Sequence, residues 1–129
     1  MGMGIFVVDD DEAIRDTLRL VLEDAGYSVT EAGDGISALA QLPSVPTPCI
    51  VILDLIMPGL SGVEMLSRIA ADPTLREDHA YVLMTAAQSA TLQPLEPLLS
   101  ALDVLTLEKP FELDHLLDVV ARAAASLGG

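Results

Sequence analysis

The stretch that most constrains this chain is Cys49 to Gly62, C-I-V-I-L-D-L-I-M-P-G-L-S-G. Ile50 to Leu53 form an unbroken apolar run that leads straight into Asp54. An apolar run without alternation reads as a strand buried on both faces, the habit of a parallel sheet covered by helices. Met57-Pro58-Gly59 then marks a turn. Asp54 therefore stands where a central strand ends and a loop begins. In an open α/β sheet, that edge is where ligands bind. Taken alone, an aspartate after a strand more often caps a turn or the next helix, so the other elements must decide.

Taken in order, the chain alternates between two periods. Ile5 to Val8 reads as a strand ending in Asp9, Asp10 and Asp11, with Glu12 behind them. Ile14, Leu18, Val21 and Ala25 then recur at helical spacing until Gly26 stops the helix. Acidic residues at a helix start cap it and complement its dipole, which accounts for Asp11 and Glu12 but not for Asp9 and Asp10. Tyr27 to Glu31 reads as a second strand, and Asp34-Gly35 opens a short helix with Ile36, Leu39 and Leu42 inward. Pro43, Pro46 and Pro48 make a stiff connection into the Asp54 strand. Ser61 is suited to cap a helix over Gly62 to Ala70, with Val63, Leu66, Ile69 and Ala70 inward, closed by Asp72-Pro73.

A fourth strand spans Ala80 to Met84 and ends in Thr85-Ala86-Ala87. Pro94 and Pro97 confine the next helix to a start near Pro94 or later. A fifth strand, Asp103 to Leu107, precedes Glu108-Lys109-Pro110-Phe111. The last helix, Leu113 to Ser126, turns Leu113, Leu116, Leu117, Val120 and Ala124 inward. Five strands alternating with five helices imply an α/β fold, a parallel sheet with helices on both faces.

Composition narrows the function. The 129 residues are enough for a normal core, and residues 1–129 read as a single domain. No apolar run approaches the roughly 20 residues of a spanning helix, and Met1-Gly2-Met3-Gly4 carries no basic leader region, so a cytoplasmic location is expected. The single cysteine, Cys49, forms no internal disulfide and reads as a buried thiol. A net charge of −14 argues against direct nucleic-acid binding and against adhesion to anionic membranes. It suits cations or a basic protein face.

Asp9 and Asp10 end the first strand, Asp54 the third and Thr85 the fourth, while Lys109 follows the fifth. All fall on the carboxyl edge of a parallel sheet, where they can meet in one cleft. Clustered carboxylates need compensating charge. Mg²⁺ supplies it, taking one or two carboxylates, several waters and a phosphate. Lys109 is the only lysine in a chain with 20 acidic residues, and it suits pairing with Asp54 or an anion there. A carboxylate nucleophile, a metal, a lysine and a hydroxyl make a set for phosphoryl transfer.

These pieces resemble the receiver domain of bacterial two-component response regulators. The resemblance rests on Ile5-Phe6-Val7-Val8-Asp9-Asp10-Asp11, Leu53 to Gly59 through Gly62, Met84-Thr85-Ala86 and Lys109-Pro110-Phe111, in family order over essentially the whole chain. It implies a doubly wound, flavodoxin-like five-stranded sheet of order 2-1-3-4-5. It implies that Asp54 accepts a phosphoryl group from the phosphohistidine of a histidine kinase or phosphotransfer protein. Asp10, Asp54 and the backbone carbonyl of Ile56 would ligate Mg²⁺, with Asp9 acting through water. Thr85 and Lys109 would contact the phosphoryl oxygens, and Pro110 matches a cis-proline position. An unknown downstream protein would use the 88–111 face. Such a domain is a switch rather than an enzyme, catalysing its own phosphorylation only.

Two departures from the family pattern bear on that face. Thr106 stands where an aromatic residue or histidine is usual, and the Pro94–Pro97 segment is unlike the usual fourth helix. Two other classes compete. One is a degenerate receiver that only binds proteins. The other is a small hydrolase with an aspartyl-phosphate intermediate, for which Asp9-x-Asp11 would be the nucleophile motif. His79, His115, Arg68 and Arg76 read as surface residues, and Glu108 as a solvated neighbour of the site. Ile56 and Ala87 flank the site without a group to orient water, so slow self-dephosphorylation is expected.

Overall fold

The structure is a computed structural model, described here for residues 3–46, 48–86 and 93–128. Five parallel strands form one sheet in the order β2-β1-β3-β4-β5. They are β1 (Gly4–Val8), β2 (Ser28–Ala32), β3 (Cys49–Asp54), β4 (Ala80–Thr85) and β5 (Leu105–Glu108). The described helices are α1 (Glu12–Asp24), α2 (Gly35–Gln41), α3 (Gly62–Ala70), α4 (Pro73–Asp78), α5 (Glu96–Ala101) and α6 (Leu113–Gly128). Two apolar layers sandwich the sheet. Phe6, Val8, Val51, Leu53 and Leu83 pack with α2, α3 and α5, while Ile5, Val7, Ile50, Ile52, Val82 and Met84 pack with α1 and α6. Alternate residues of one strand thus serve opposite layers, which is why β3 is apolar without alternation. Asp54 ends β3 in register with Met84, and Leu53 is in register with Val8.

The expected doubly wound order is present, with several local corrections. β2 begins at Ser28 rather than Tyr27, because the Tyr27 N–H donates to the Leu22 carbonyl at 3.0 Å in the turn that ends α1. Gly26 supplies the left-handed residue of that turn, with φ 101°. β5 begins at Leu105 rather than Asp103 for the same reason. The Val104 N–H donates to the Leu99 carbonyl at 2.9 Å, and Asp103 takes the left-handed position at φ 52° after α5.

Asp72-Pro73 does not simply close α3. It opens α4, which the sequence reading omitted, with the Asp72 carboxylate accepting from Thr74 N at 3.0 Å and Leu75 N at 3.3 Å. Tyr81 ties α4 down by donating its hydroxyl to the Leu75 carbonyl at 2.6 Å.

Some inward assignments also change. Ile36 is 67 % exposed, and Gly35, Ala38 and Leu42 take the inner face. A Cβ at Gly35 would lie 2.6 Å from the Leu60 carbonyl oxygen, so the approach of that loop selects the small side. Leu113 is exposed in the first turn of α6, beyond the strand ends, and the buried stripe is Leu116, Val119, Val120 and Ala123. Ala25 is exposed beyond the end of α1, whereas Leu22 and Met65 are buried. No helix among the described residues is long and apolar enough to cross a membrane.

Candidate functional site

The site is assembled by strand ends. Asp9 directly follows β1, and its N–H donates to the Ala32 carbonyl of β2 at 3.2 Å, so sheet pairing reaches one residue past β1. Its side chain is fully buried and accepts the Asp11 N–H at 2.9 Å. Asp10, next along, is exposed. Asp11 does different work: its carboxylate caps α1 by accepting from Ala13 N at 2.9 Å and Ile14 N at 3.4 Å. That separates Asp11 from the other two and weakens an Asp9-x-Asp11 nucleophile pair.

Asp54 is half-buried at the end of β3, and the next residue continues the ladder, Leu55 N donating to the Met84 carbonyl at 3.0 Å. The chain then folds back so tightly that Gly62 N donates to the Leu55 carbonyl at 2.9 Å. A Cβ on Gly62 would strike the Asp54 carbonyl oxygen. Gly62 is thus required by backbone approach directly beneath the candidate nucleophile. Ile56, two residues past Asp54, turns its side chain outward at 76 % exposure.

Lys109 closes the cleft from β5. Its Nζ lies 3.4 Å from Asp54 Oδ2 and 3.4 Å from Asp9 Oδ2. The sequence suits it to Asp54 or an anion there; the structure makes it a bridge between Asp9 and Asp54. Its backbone N–H donates to the Thr85 carbonyl at 2.7 Å, and the Lys109–Pro110 peptide is cis. Thr85 is buried at the end of β4. Thr85 and Thr106 share one face of the sheet, since Leu83 is in register with Thr106 and Thr85 with Glu108. Thr106 is exposed and lines a cleft of 380 Å³ with Glu96, Leu99 and Asp103.

The donor set is all oxygen and suits a hard divalent cation. Carboxylate oxygens of Asp9, Asp10 and Asp54 can all lie within 4.8 Å of one another. Burial pushes the Asp9 pKa above its usual value and the charge of Asp54 adds to this, while the Asp11 N–H and Lys109 pull the other way. One lysine against this cluster leaves room for a further cation. The residues present therefore fit Mg²⁺.

Of the expected site residues, Asp9, Asp10, Asp54 and Lys109 meet within a few ångströms, and Thr85 joins them through the Lys109 backbone. Ala87, the other expected flanking residue, lies outside the described residues. His79 is not at the surface: it is buried, and its Nδ1 accepts the Cys49 N–H at 3.2 Å. Arg15, which the sequence reading passed over, contacts the Asp9 backbone. Its only signal was helical spacing from Asp11 toward the first strand's end.

Beside Lys109, the groove between α1 and the β5–α6 loop measures 510 Å³ and is lined by Ile14, Leu18, Pro110 and Phe111. It presents apolar surface directly at the edge of the acidic cleft.

The family model for the response regulator receiver domain matches residues 5–121. The transcriptional regulatory protein FixJ of Bradyrhizobium diazoefficiens is 38% identical over 119 residues, covering 92% of this chain and 55% of that protein. Response regulator MprA of Mycobacterium tuberculosis is 36% identical over 117 residues, covering 91% and 48%. The chain spans about half the length of these curated relatives. The crystal structure of response regulator protein TrrA from Thermotoga maritima, in complex with Mg²⁺-BeF, is similar with a TM-score of 0.78 and 31% identity, covering 94% of this chain and 98% of that one. With its five-stranded order and its acidic cleft, this chain belongs to the response regulator receiver domain family.

Proposed function

We propose that residues 1–129 act as one phosphoacceptor switch, taking a phosphoryl group onto Asp54 from the phosphohistidine of a histidine kinase or phosphotransfer protein. The observation that carries this is the Lys109 ammonium held 3.4 Å from both Asp54 and Asp9, with Asp10 within reach of the same cation position. In the transfer, the phosphorus–nitrogen bond breaks as a phosphorus–oxygen bond forms to an Asp54 carboxylate oxygen. The histidine nitrogen keeps the bonding pair. Asp10, Asp54 and the Ile56 carbonyl would hold Mg²⁺, with Asp9 acting through water. When bound, the metal supplies counter-charge for the phosphoryl oxygens. Lys109 gives up its share in Asp54 to contact the arriving group, and the Thr85 hydroxyl bonds one of its oxygens. The apolar groove lined by Ile14 and Phe111 gives the donor protein a place to lie beside Asp54. A downstream protein reads the 88–111 face, of which residues 88–92 lie outside the described residues, and on it Thr106 replaces the usual aromatic residue.

Incubation with acetyl phosphate and Mg²⁺, read by intact mass, tests this. A single phosphate adduct is expected, absent without Mg²⁺ and absent in Asp54→Asn. No adduct under any condition would reduce the chain to a protein-binding remnant.

A further inference from the structure

We propose that Arg15 is a positioning residue for the metal site, acting through the Asp9 backbone rather than through any ligand side chain. This rests on the reading that Asp9, Asp10 and Asp54 take a divalent cation.

Arg15 lies in the first turn of α1, and its side chain is 18 % exposed. Its Nη1 donates to the Asp9 carbonyl oxygen at 2.6 Å, and its Nε donates to Glu31 Oε1 at 3.2 Å. The guanidinium therefore spans from β2 to the loop after β1. Gly33 leaves the space for it: a Cβ there would stand 3.3 Å from Nη1.

The Asp9 carbonyl belongs to the planar peptide that joins Asp9 to Asp10. Rotation of that peptide would swing the two acidic side chains relative to each other. Three bonds oppose it. The Asp9 N–H is held by the Ala32 carbonyl, the Asp9 carboxylate by the Asp11 N–H, and the Asp9 carbonyl by Arg15. Only the last restrains the peptide plane between the two acids directly. A charge-assisted bond of this kind is among the stronger ones. Glu31 in turn fixes the guanidinium, so an element two strands away from Asp54 sets the geometry of the cation site. Neighbours that orient metal ligands typically change affinity by roughly 10–100-fold when removed.

Arg19 supplies an internal control. It also pairs with Glu31, and with Glu23 at 3.1 Å. It has no bond to the Asp9 loop among the described residues. Arg15→Gln and Arg19→Gln each remove one ion pair to Glu31, but only Arg15→Gln releases the Asp9 carbonyl.

The test is Mn²⁺ binding to the unphosphorylated chain, followed by loss of the free-ion electron paramagnetic resonance signal, with thermal melts alongside. Arg15→Gln should weaken Mn²⁺ binding about tenfold, while Arg19→Gln stays within about twofold at a similar melting temperature. Arg15→Lys, which keeps a charged donor, should recover part of the loss. Unchanged affinity in Arg15→Gln would overturn the inference. So would equal weakening in both variants, which would assign the effect to general loosening around Glu31. Failure of the unaltered chain to bind Mn²⁺ would overturn the metal reading itself, and this role of Arg15 with it.

Discussion

His79 joins the starts of β3 and β4 at the edge of the sheet opposite Asp54, its Nδ1 accepting the Cys49 N–H at 3.2 Å. That bond uses the lone pair of the neutral ring. Burial holds the His79 pKa below its ordinary value, and the adjacent Asp78 charge opposes this without reversing it. The sign follows. The unfolded chain takes up a proton near pH 6.5, but the folded ring resists. This contribution to stability is complete above about pH 6.5 and is lost as pH falls from there through the folded value. His79→Gln keeps an acceptor that cannot be protonated. The fall in melting temperature between about pH 7.5 and 5.5 should therefore be smaller in His79→Gln than in the parent; equal falls would exclude His79 as the source. A second residue-scale outcome concerns Ile56. Its exposed apolar side chain offers no hydrogen bond to an attacking water. The phosphoaspartate should persist for minutes or longer, and Ile56→Gln should shorten its life. A lifetime of seconds in the parent would contradict this.

The elements begin and end through short-range chemistry that also shapes the site. Ser61 accepts the Glu64 N–H at 3.2 Å, and Glu64 accepts the Ser61 N–H at 3.4 Å, a reciprocal cap that starts α3. This cap terminates the loop that carries Ile56 and fixes Gly62 against Asp54. Ser61→Ala should cost about 1 kcal/mol in denaturant unfolding, with Ser61→Thr nearly silent. A loss under a few tenths would mean that packing of Met65, Leu66 and Ile69 alone holds the helix start. α3 and the end of α1 were legible because caps and left-handed residues leave signatures, here Ser61 and Gly26. The short α4 was not, since six residues with no buried side chain show no apolar period. It stands on the Asp72 cap and the distant Tyr81 hydroxyl.

Across the whole molecule the charge is unevenly answered. Arg15 and Arg19 are engaged with Glu31, and Lys109 serves the cleft, against a net −14. The cleft is the place where a cation would relieve the most repulsion, because Asp9 is fully buried there beside Asp54. Mg²⁺ binding only the folded chain should raise stability by about 2.7 kcal/mol at a hundredfold excess over its dissociation constant. That corresponds to a melting shift on the order of 10 °C for a chain of this size. Monovalent salt at equal ionic strength should give much less, and Asp10→Asn should reduce the Mg²⁺ shift. Equal shifts with both salts would mean general screening rather than a site.

The sequence by itself determined which runs become strands and which functional residues stand at or beside their carboxyl ends. Apolar runs, breakers and carboxylates at run ends are local signals, and Asp9, Asp10, Asp54, Thr85 and Lys109 were all readable from them. Tertiary structure decided what those signals could not carry. Ile36 yielded the inner face to Gly35 because the Leu60 carbonyl comes too close for a side chain. His79 became a buried acceptor, Lys109 a bridge between two strand ends and Arg15 a donor to the Asp9 backbone carbonyl. Each depends on a partner 6 to 100 residues away, and which groups meet across such separations is set by the winding of the sheet, not by neighbours in the chain.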